Sequence, residues 1–340
     1  MYAPGLGYYV AGATKLGGAG DFVTAPELSP LFGRTLARQM AQILERTDGD
    51  VLELGAGSGA MAADVLGELQ HLDRRLRRYQ ILETSPQLAQ RQRQTLQQRQ
   101  PALEDCVEWI AALPKNFDGV IIANEVLDAL PVHLVAWRKK GLFERGVAWT
   151  DGFAWAERPL LPGALRSAAE AIGAQADYVS EISLVVPALV RSLAASLRNG
   201  ALLLIDYGFG RREYYHPQRA QGTLMCHFRH RAHDQAFFLP GLQDLTAHVD
   251  FTAVAEAGID AGLTMLGYTT QAQFLINSGI TGVLERHGGE APVSRFALAA
   301  GVQKLLSPAE MGELFKVIAL GRGIDGPLLG FASGDKSRLL

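Results

Sequence analysis

The chain has 340 residues, of which 48% are hydrophobic and 20% are charged, and its 32 basic side chains nearly balance 35 acidic ones. This balance excludes an overall basic field for nucleic acid. No apolar run approaches the roughly 20 residues that a membrane-spanning helix requires. The first residues lack the basic and long apolar regions of a signal peptide, and Cys106 and Cys226 form no CxxC pair. We therefore expect a cytoplasmic protein with free thiols, no nucleic-acid partner and no membrane insertion.

Helical and strand patterns alternate along the chain, which is typical of a mostly parallel sheet. Residues 207 to about 246 carry aromatic side chains but no clear period, and a loop of that length in a compact domain is usually functional. In chain order the predicted elements are a helix over 28–44, strands at 51–54, 79–82, 106–110 and 119–123, a β-meander over 133–160, a helix over 186–197, and strands at 201–206 and 311–320.

The first strand ends in an acidic residue that is followed by three alternate glycines and a helix. Glycines allow a tight turn and close approach of a ligand, and the helix start presents free N–H groups. The spacing differs from the Gly-x-Gly-x-x-Gly of dinucleotide folds, and a carboxylate there disfavours pyrophosphate and favours a cation. We predict an S-adenosylmethionine (SAM) site, with a plain turn and a nucleotide site as alternatives. Its residues are Glu53, Gly55, Ala56, Gly57, Ser58 and Gly59.

The second strand also ends in an acidic residue, Glu83. Glu83 follows the glycine loop at about the distance expected for a ribose-binding acid, and one carboxylate can accept hydrogen bonds from both ribose hydroxyls. The alternative is an acid that interacts with the dipole of the next helix. Trp109, at the end of the third strand, is equally compatible with a place beside the adenine and with a place in the core.

Further motifs occur in order along nearly the whole chain. They are Gly7-Tyr8-Tyr9, residues 20–27, Phe32-Gly33, 82–86, 123–131, 205–208, 222–224 with His230, and 244–251. In these motifs the chain resembles the SAM-dependent protein arginine methyltransferases of the MidA type, which are related to a mitochondrial complex I assembly factor. The resemblance implies a class I SAM-methyltransferase (Rossmann-like) α/β fold, with a mostly parallel sheet, an antiparallel last strand and inserted segments.

The resemblance also implies SAM as the cofactor and an arginine of a protein as the methyl acceptor. Within the matching motifs, Thr24 and Thr84 join the predicted cofactor-binding residues. Family members usually carry a helical segment ahead of the first motif, which is not found here, so the N-terminal contacts over the cofactor stay open. A homodimer is compatible with the resemblance, although the sequence does not determine the oligomeric state.

These observations divide the chain into segments with different expected roles. We predict an N-terminal segment and helix covering the cofactor (1–48), the first half of the SAM-binding core (49–132), an inserted β-meander (133–160), core helices and a strand (161–206), a substrate-side insertion (207–250), and core completion with C-terminal strands (251–340).

Transfer chemistry is expected where the buried strand at 119–123 ends, because ligands of open α/β sheets lie beyond the carboxyl ends of the strands. Asn124 offers an amide beside the methyl donor, and Glu125 and Asp128 offer carboxylates. A guanidinium, with a pKa above about 12, stays protonated in water. A carboxylate can grip it as a fork and help remove its proton. The alternative for Glu125 and Asp128 is a pair of acids at a helix start.

Asp206 and His230 complete the predicted catalytic residues, although Asp206, like Glu181, is equally compatible with a structural pairing to an arginine. His230 is expected to contact substrate from a loop, whereas His248 is expected to be a hydrogen-bonded structural residue. The spacing of His227, His230 and His233 makes a metal site conceivable. Arginines stand between these histidines and no cysteine pair supports them, so we predict no metal.

Two other functions fit the same sequence. One is a small-molecule methyltransferase on this fold, and the other is a SAM-binding assembly factor without catalysis. The long insertions favour a macromolecular acceptor over a small molecule. The carboxylates after Asn124 favour catalysis, because binding alone does not need them.

Overall fold

The computed structural model describes residues 7–8, 24–287 and 292–340; Tyr9 and residues 20–23 of the first motif lie outside these ranges. In the described ranges the helices are α1 (Ala25–Leu28), α2 (Pro30–Thr47), α3 (Ala60–His71), α4 (Pro86–Arg99), α5 (Ala164–Ile172), α6 (Val185–Ser196), α7 (Arg211–Tyr214), α8 (Phe251–Asp260), α9 (Gln271–Asn277), α10 (Ile280–His287) and α11 (Pro292–Leu306). The strands are β1 (Asp50–Leu54), β2 (Tyr79–Leu82), β3 (Val107–Ile110), β4 (Phe117–Asn124), β5 (His133–Arg138), β6 (Gly141–Trp149), β7 (Phe153–Pro159), β8 (Tyr178–Ile182), β9 (Leu197–Phe209), β10 (Met225–Phe228), β11 (Arg231–His233), β12 (Asp244–Thr246), β13 (Val249–Asp250), β14 (Thr264–Thr270) and β15 (Phe315–Arg322).

The central sheet has the strand order β14-β15-β9-β4-β1-β2-β3, with β13 paired to β9. Strands β1, β2, β3, β4 and β9 are parallel, and β15 runs antiparallel between β9 and β14. The predicted fold class, a mostly parallel sheet with an antiparallel last strand, is confirmed. Leu54 lies opposite Ala123, and Asn124 lies opposite Ile205. Strands β1 and β4 therefore end at one edge of the sheet, level with Ile205 on β9.

Both faces of this sheet are covered by helices, which explains why β4 and β9 are continuous apolar runs. Val120 and Ile122 of β4 join the core cluster that contains α2, α3 and α9. Ile121 and Ala123, which point to the opposite face, join the cluster that contains α6 and α8. The polar groups after Ala123 are thus carried by a strand that water does not reach from either face.

The first long helix begins later than the sequence pattern predicted. We expected a helix over 28–44, whereas α2 starts at Pro30 and a separate turn, α1, precedes it. Ser29 interrupts the helix with an extended backbone (φ −159°), and its side chain accepts a hydrogen bond from the Leu31 N–H at 3.3 Å. Serine as the N-cap followed by proline is a favoured helix start.

The predicted β-meander is present as β5, β6 and β7, which pair antiparallel in sequence. Strand β8 lies in the segment expected to belong to the central core, but it pairs with β5 and extends this second sheet to four strands. Val135 and Trp137 of β5 pack with Ala169 of α5 in a small core of their own.

The region from 207 to 246, for which we predicted no regular core element, contains α7 and a three-stranded sheet in the order β11-β10-β12. Its strands are four residues long or shorter, too short to produce a readable period. Arg229 and His230 form the turn between β10 and β11, with φ of 48° and 61°.

Two glycines at the start of adjacent central strands allow the backbones to approach closely. Gly119 has φ of 124° and Gly200 has φ of 139°. A Cβ atom on Gly200 would lie 1.9 Å from the Gly119 carbonyl oxygen, and one on Gly119 would lie 2.0 Å from the Asp50 carbonyl oxygen. Neither atom could be accommodated without moving the central strands.

We therefore expect Gly200→Ala to lower the free energy of unfolding by at least the roughly 1–3 kcal/mol of an unfavourable backbone conformation. The measurement is the midpoint of chemical denaturation. The matched control is Gly146→Ala in β6, where a Cβ atom would meet nothing within 4 Å. Equal midpoints for the two variants would contradict the interpretation.

Candidate cofactor and acceptor site

The loop between β1 and α3 has the backbone that its glycines predict. Gly55, Gly57 and Gly59 have φ of 65°, 53° and 83°. A Cβ atom on Gly55 would lie 2.8 Å from Val126, and one on Gly59 would lie 3.1 Å from the Gln92 Cα. Gly59 is also the N-cap of α3. The loop therefore presents bare backbone at the sheet edge, as a site for an adenosine cofactor requires.

Glu53 lies at the carboxyl end of β1, directly before this loop. Its side chain is buried and accepts a hydrogen bond from the Tyr79 hydroxyl on β2 at 2.6 Å. Burial raises the pKa of Glu53 to about 7, although the Tyr79 hydrogen bond lowers it. A cation bound at the loop would favour the charged carboxylate.

Glu83 follows β2 and is held at the same sheet edge. Its carboxylate accepts hydrogen bonds from the Ser85 N–H at 2.8 Å and the Gln92 side chain at 3.0 Å. Ser85 in turn caps α4. Thr84 between them is exposed. Glu83 is half-buried, and these bonds fix its direction.

Gln92 is a residue of this site that the sequence analysis missed. Its side chain is fully buried and donates to the Gly57 carbonyl at 3.1 Å and to Glu83 at 3.0 Å. It also accepts from the Trp109 indole N–H at 2.9 Å. One amide therefore joins three predicted cofactor residues. Helix α4 is rich in Gln and Arg, as a solvated helix would be, but the spacing of Ala89, Gln92 and Leu96 marks its buried side.

Trp109, the residue placed either beside the adenine or in the core, lies on β3 and is half-buried. The Arg93 guanidinium lies 4.2 Å from its ring centroid. Together with the bond to Gln92, this stacking holds the indole next to the predicted cofactor residues, at the edge of the core.

Glu125 turns the chain sharply where β4 ends. Its φ of 53° is unfavourable for a non-glycine residue, and such strain is often found at functional sites. Its Oε1 accepts from the Asn124 amide and from the Ala25 N–H, both at 3.1 Å. Burial raises the pKa of Glu125 to about 8. The Asn124 Oδ1 atom is buried without a hydrogen-bond partner among the described residues.

The short helix α1 connects the end of β4 to the glycine loop. The Ala25 N–H at its start binds Glu125, and Glu27 accepts a hydrogen bond from the Ser58 hydroxyl. Thr24 precedes α1 and is half-buried, and its carbonyl accepts from the N–H groups of Glu27 and Leu28. Thr24, Ser58 and Glu125 are thereby brought together around one helical turn.

Asp206 holds the turn that follows β4. Its carboxylate accepts from the N–H groups of Leu127 at 2.9 Å, Asp128 at 3.2 Å and Tyr207 at 2.9 Å. Burial raises the pKa of Asp206 well above its usual range. These contacts give Asp206 a structural task, and the arginine pairing we considered for it is not observed among the described residues.

Asp128 is part of this turn and is buried. Its Oδ2 accepts from the Tyr207 hydroxyl, whereas its Oδ1 has no hydrogen-bond partner in the described part of the chain. The alternative that Glu125 and Asp128 start a helix is wrong, because the next element after β4 is β5. The turn takes its shape from Asp206 instead.

His230 is exposed at the tip of the β10–β11 hairpin, and no hydrogen bond between described residues joins it to Glu125 or Asp128. His248 packs against Tyr207, and burial lowers its pKa to about 4.

Glu181 accepts from the Thr223 and Leu224 N–H groups. In the described ranges no group of three or more His, Cys, Asp or Glu side chains is placed to hold a metal ion.

Comparison with known proteins identifies the family. The family model for SAM-dependent methyltransferases matches residues 35–269, more than half of the chain. The mitochondrial protein arginine methyltransferase NDUFAF7 of Mus musculus is 30% identical, over 93% of this chain and 78% of that protein. The Danio rerio protein of the same name is 28% identical, over 93% and 80%.

A solved structure is more similar still. It is a superfamily member from Burkholderia thailandensis bound to S-adenosyl-homocysteine, with 51% identity, a TM-score of 0.95, and coverage of 100% of this chain and 89% of that one. The predicted cofactor, SAM, and the predicted enzyme class are confirmed by these matches, whereas the individual site residues remain predictions. The chain belongs to the family of S-adenosyl-L-methionine-dependent methyltransferases.

Proposed function

We propose that this methyltransferase modifies an arginine of a protein substrate, with Glu125 and Asp128 as its catalytic carboxylates. The observation that carries the proposal is the group of acids at the end of β4. Glu125 is half-buried and Asp128 is buried, and no salt bridge between described residues reaches either of them. Next to them, the buried Asn124 Oδ1 and Asp128 Oδ1 atoms lack partners in the same part of the chain. Unpaired buried acceptors favour a ligand rich in N–H donors and positive charge.

Each of these groups has a task in the proposed reaction. SAM, when bound, supplies a methyl group and its own leaving group. The glycine loop and Glu83 would hold its adenosine portion, while Asn124 lies between that region and the acids. Glu125 would accept the guanidinium N–H groups and orient one nitrogen. Because burial raises the pKa of Glu125 to about 8, its carboxylate is a stronger base than an exposed glutamate and suited to taking the proton that methylation releases.

A protein acceptor is supported by two observations. The NDUFAF7 relatives are named protein arginine methyltransferases. The β6–β7 hairpin also exposes a cross-strand aromatic pair, with Trp149 70% exposed and Phe153 49% exposed. Phe237, in the predicted substrate-side insertion over 207–250, packs against Phe153. Exposed apolar patches of this kind often mark protein interaction sites, whereas a small-molecule enzyme has no need of them.

Labelled SAM and a cell lysate separate this proposal from its alternatives. We expect label in protein, and acid hydrolysis should release methylated arginine. Label only in small molecules would favour the small-molecule enzyme. Cofactor binding without transfer to any acceptor would favour the assembly factor.

Homodimer formation and cytoplasmic location remain predictions of this proposal. The NDUFAF7 relatives are named as mitochondrial, so location requires its own measurement. Across the described ranges, none of the helices has the length and apolar character needed to cross a membrane.

Glu83→Ala should weaken SAM binding roughly tenfold to more than a hundredfold, because each hydrogen bond to a charged acceptor contributes about 1.5–3 kcal/mol. Titration calorimetry measures the affinity. The control is Glu310→Ala, an exposed acid in the loop before β15, which should bind normally. Unchanged affinity in Glu83→Ala would remove Glu83 from the cofactor site.

Gln92→Ala should weaken SAM binding about threefold to thirtyfold, since neutral hydrogen bonds contribute roughly 0.5–1.5 kcal/mol each. The loss follows because Glu83, Trp109 and the Gly57 carbonyl would no longer be held by their hydrogen bonds to Gln92. Gln90→Ala, an exposed neighbour on α4, is the matched control. If both variants bound SAM equally well, Gln92 would have no positioning role.

Glu125→Gln should reduce methyl transfer by about 10²-fold or more, the usual range for losing an acid–base group, while SAM affinity stays nearly intact. Glutamine keeps the size of the side chain and an oxygen for the Ala25 N–H, but it carries no charge to grip a guanidinium. Steady-state kinetics and calorimetry provide the two measurements, with Glu310→Gln as control. Near-normal turnover would refute the assignment of Glu125.

A further inference from the structure

We propose that Tyr207 is a positioning residue of the acceptor site: its hydroxyl holds one oxygen of Asp128 and leaves the other, Oδ1, to accept an N–H of the substrate guanidinium. This inference rests on the proposed function and extends it to Tyr207, which has no role in the reaction as described above. Tyr207 lies on β9, one residue after Asp206.

The orientation of Asp128 is fixed at two points. Its backbone N–H donates to Asp206 at 3.2 Å, and its Oδ2 accepts from the Tyr207 hydroxyl. The residue is only 7% exposed, and its Oδ1 makes no hydrogen bond in the described ranges, although the Ala129 backbone N–H lies close enough to lower the Asp128 pKa. A buried carboxylate oxygen without a partner is costly. The cost is removed if a donor arrives with the substrate.

Tyr207 is itself held rigidly. Its ring packs edge-on against His248, with centroids 5.2 Å apart, and against Phe315, with centroids 5.4 Å apart. Because His248 lies in the loop before β13 and Phe315 lies on β15, the phenol cannot move away from Asp128 without disrupting the packing at the end of β9. Its hydroxyl is therefore a fixed donor.

The charges around Asp128 favour a cation. Glu125, Asp206 and Asp244 lie close enough to influence the titration of this group of acids. The donors that lower the Asp128 pKa are the Tyr207 hydroxyl, which has the largest effect of the three, and the backbone N–H groups of Ala129 and of Asp128 itself. A second unpartnered acceptor, Asn124 Oδ1, lies on the other side of Glu125 along the chain. A guanidinium has five N–H donors in a planar fork, so it can bind several of these oxygens at once.

A merely structural pair would behave differently. If Tyr207 and Asp128 served only to satisfy each other's hydrogen bonds in the core, an unpaired carboxylate oxygen would bring no benefit. Removing either side chain would then change only the stability of the protein. A Tyr207 that acts through Asp128 also sets the pH at which Asp128 ionises, because its hydrogen bond lowers the Asp128 pKa against the effect of burial.

The test is Tyr207→Phe, which removes a single oxygen. We expect kcat to fall about tenfold or more, in line with losing a hydrogen bond to a charged group, with SAM affinity within twofold of the original. Without that bond the pKa of Asp128 rises, so the acid limb of the kcat/KM profile should move to higher pH. Asp128→Asn should lose turnover to a similar degree, and the double variant should be no worse than the poorer single one.

The matched control is Tyr214→Phe. Tyr214 is a buried tyrosine, and its hydroxyl, like that of the half-buried Tyr207, donates to a buried carboxylate, in this case Glu181 at 3.4 Å. This variant should keep its turnover and its pH profile. If Tyr207→Phe does not fold, the test is made with Asp128→Asn. This variant should show the same loss of turnover with unchanged SAM affinity.

If the Tyr207→Phe variant methylates arginine at the normal rate and with an unshifted pH profile, the inference is overturned. The proposed function is not affected by that result. Methylation of a different acceptor by the unaltered protein would overturn the proposed function, and with it the guanidinium contact of Asp128. The two failures are therefore distinguishable.

Discussion

The pairing of β4 with β9 is the constraint on which the proposed acceptor site depends. The Ile205 carbonyl accepts the Glu125 N–H at 2.9 Å, which carries the register of the sheet one residue beyond the end of β4. The next residue on β9, Asp206, then binds the N–H groups of Leu127 and Asp128. Two consecutive residues of one strand thus set the positions of both predicted catalytic carboxylates. A one-residue slip would reverse every side chain involved, and the apolar faces of the sheet prevent it.

The same burial that fixes the register explains the electrostatics. Strands covered on both faces remove water from the acids at their ends, and burial is the largest contribution to the raised pKa values of Glu53, Glu125 and Asp206. Acids in such surroundings are stabilised when a cation binds. The sulfonium of SAM and the guanidinium of an arginine are both cations, so one feature of the sheet suits the cofactor and the proposed acceptor.

Local patterns in the sequence predicted the strands, the glycine loop and the acidic strand ends, because hydrophobic runs and glycine spacing are properties of consecutive residues. They did not predict Gln92 or Tyr79, whose tasks depend on partners on other elements, nor the helix start at Pro30, where Ser29 interrupts the pattern. The strands between 225 and 246 were too short to produce a period. For Asp206 and Glu181 the residue type alone was ambiguous, since a carboxylate that accepts backbone N–H groups looks the same in a sequence as one that binds substrate.

The short helix α1 links the predicted cofactor loop to the predicted catalytic carboxylate. Helix α1 is bonded to Ser58 on the glycine loop and to Glu125 at the end of β4, so a movement that frees one of these contacts strains the other. The predicted cofactor loop and the predicted catalytic carboxylate therefore share one neighbour, and in the proposed reaction a displacement of α1 would change the surroundings of both together.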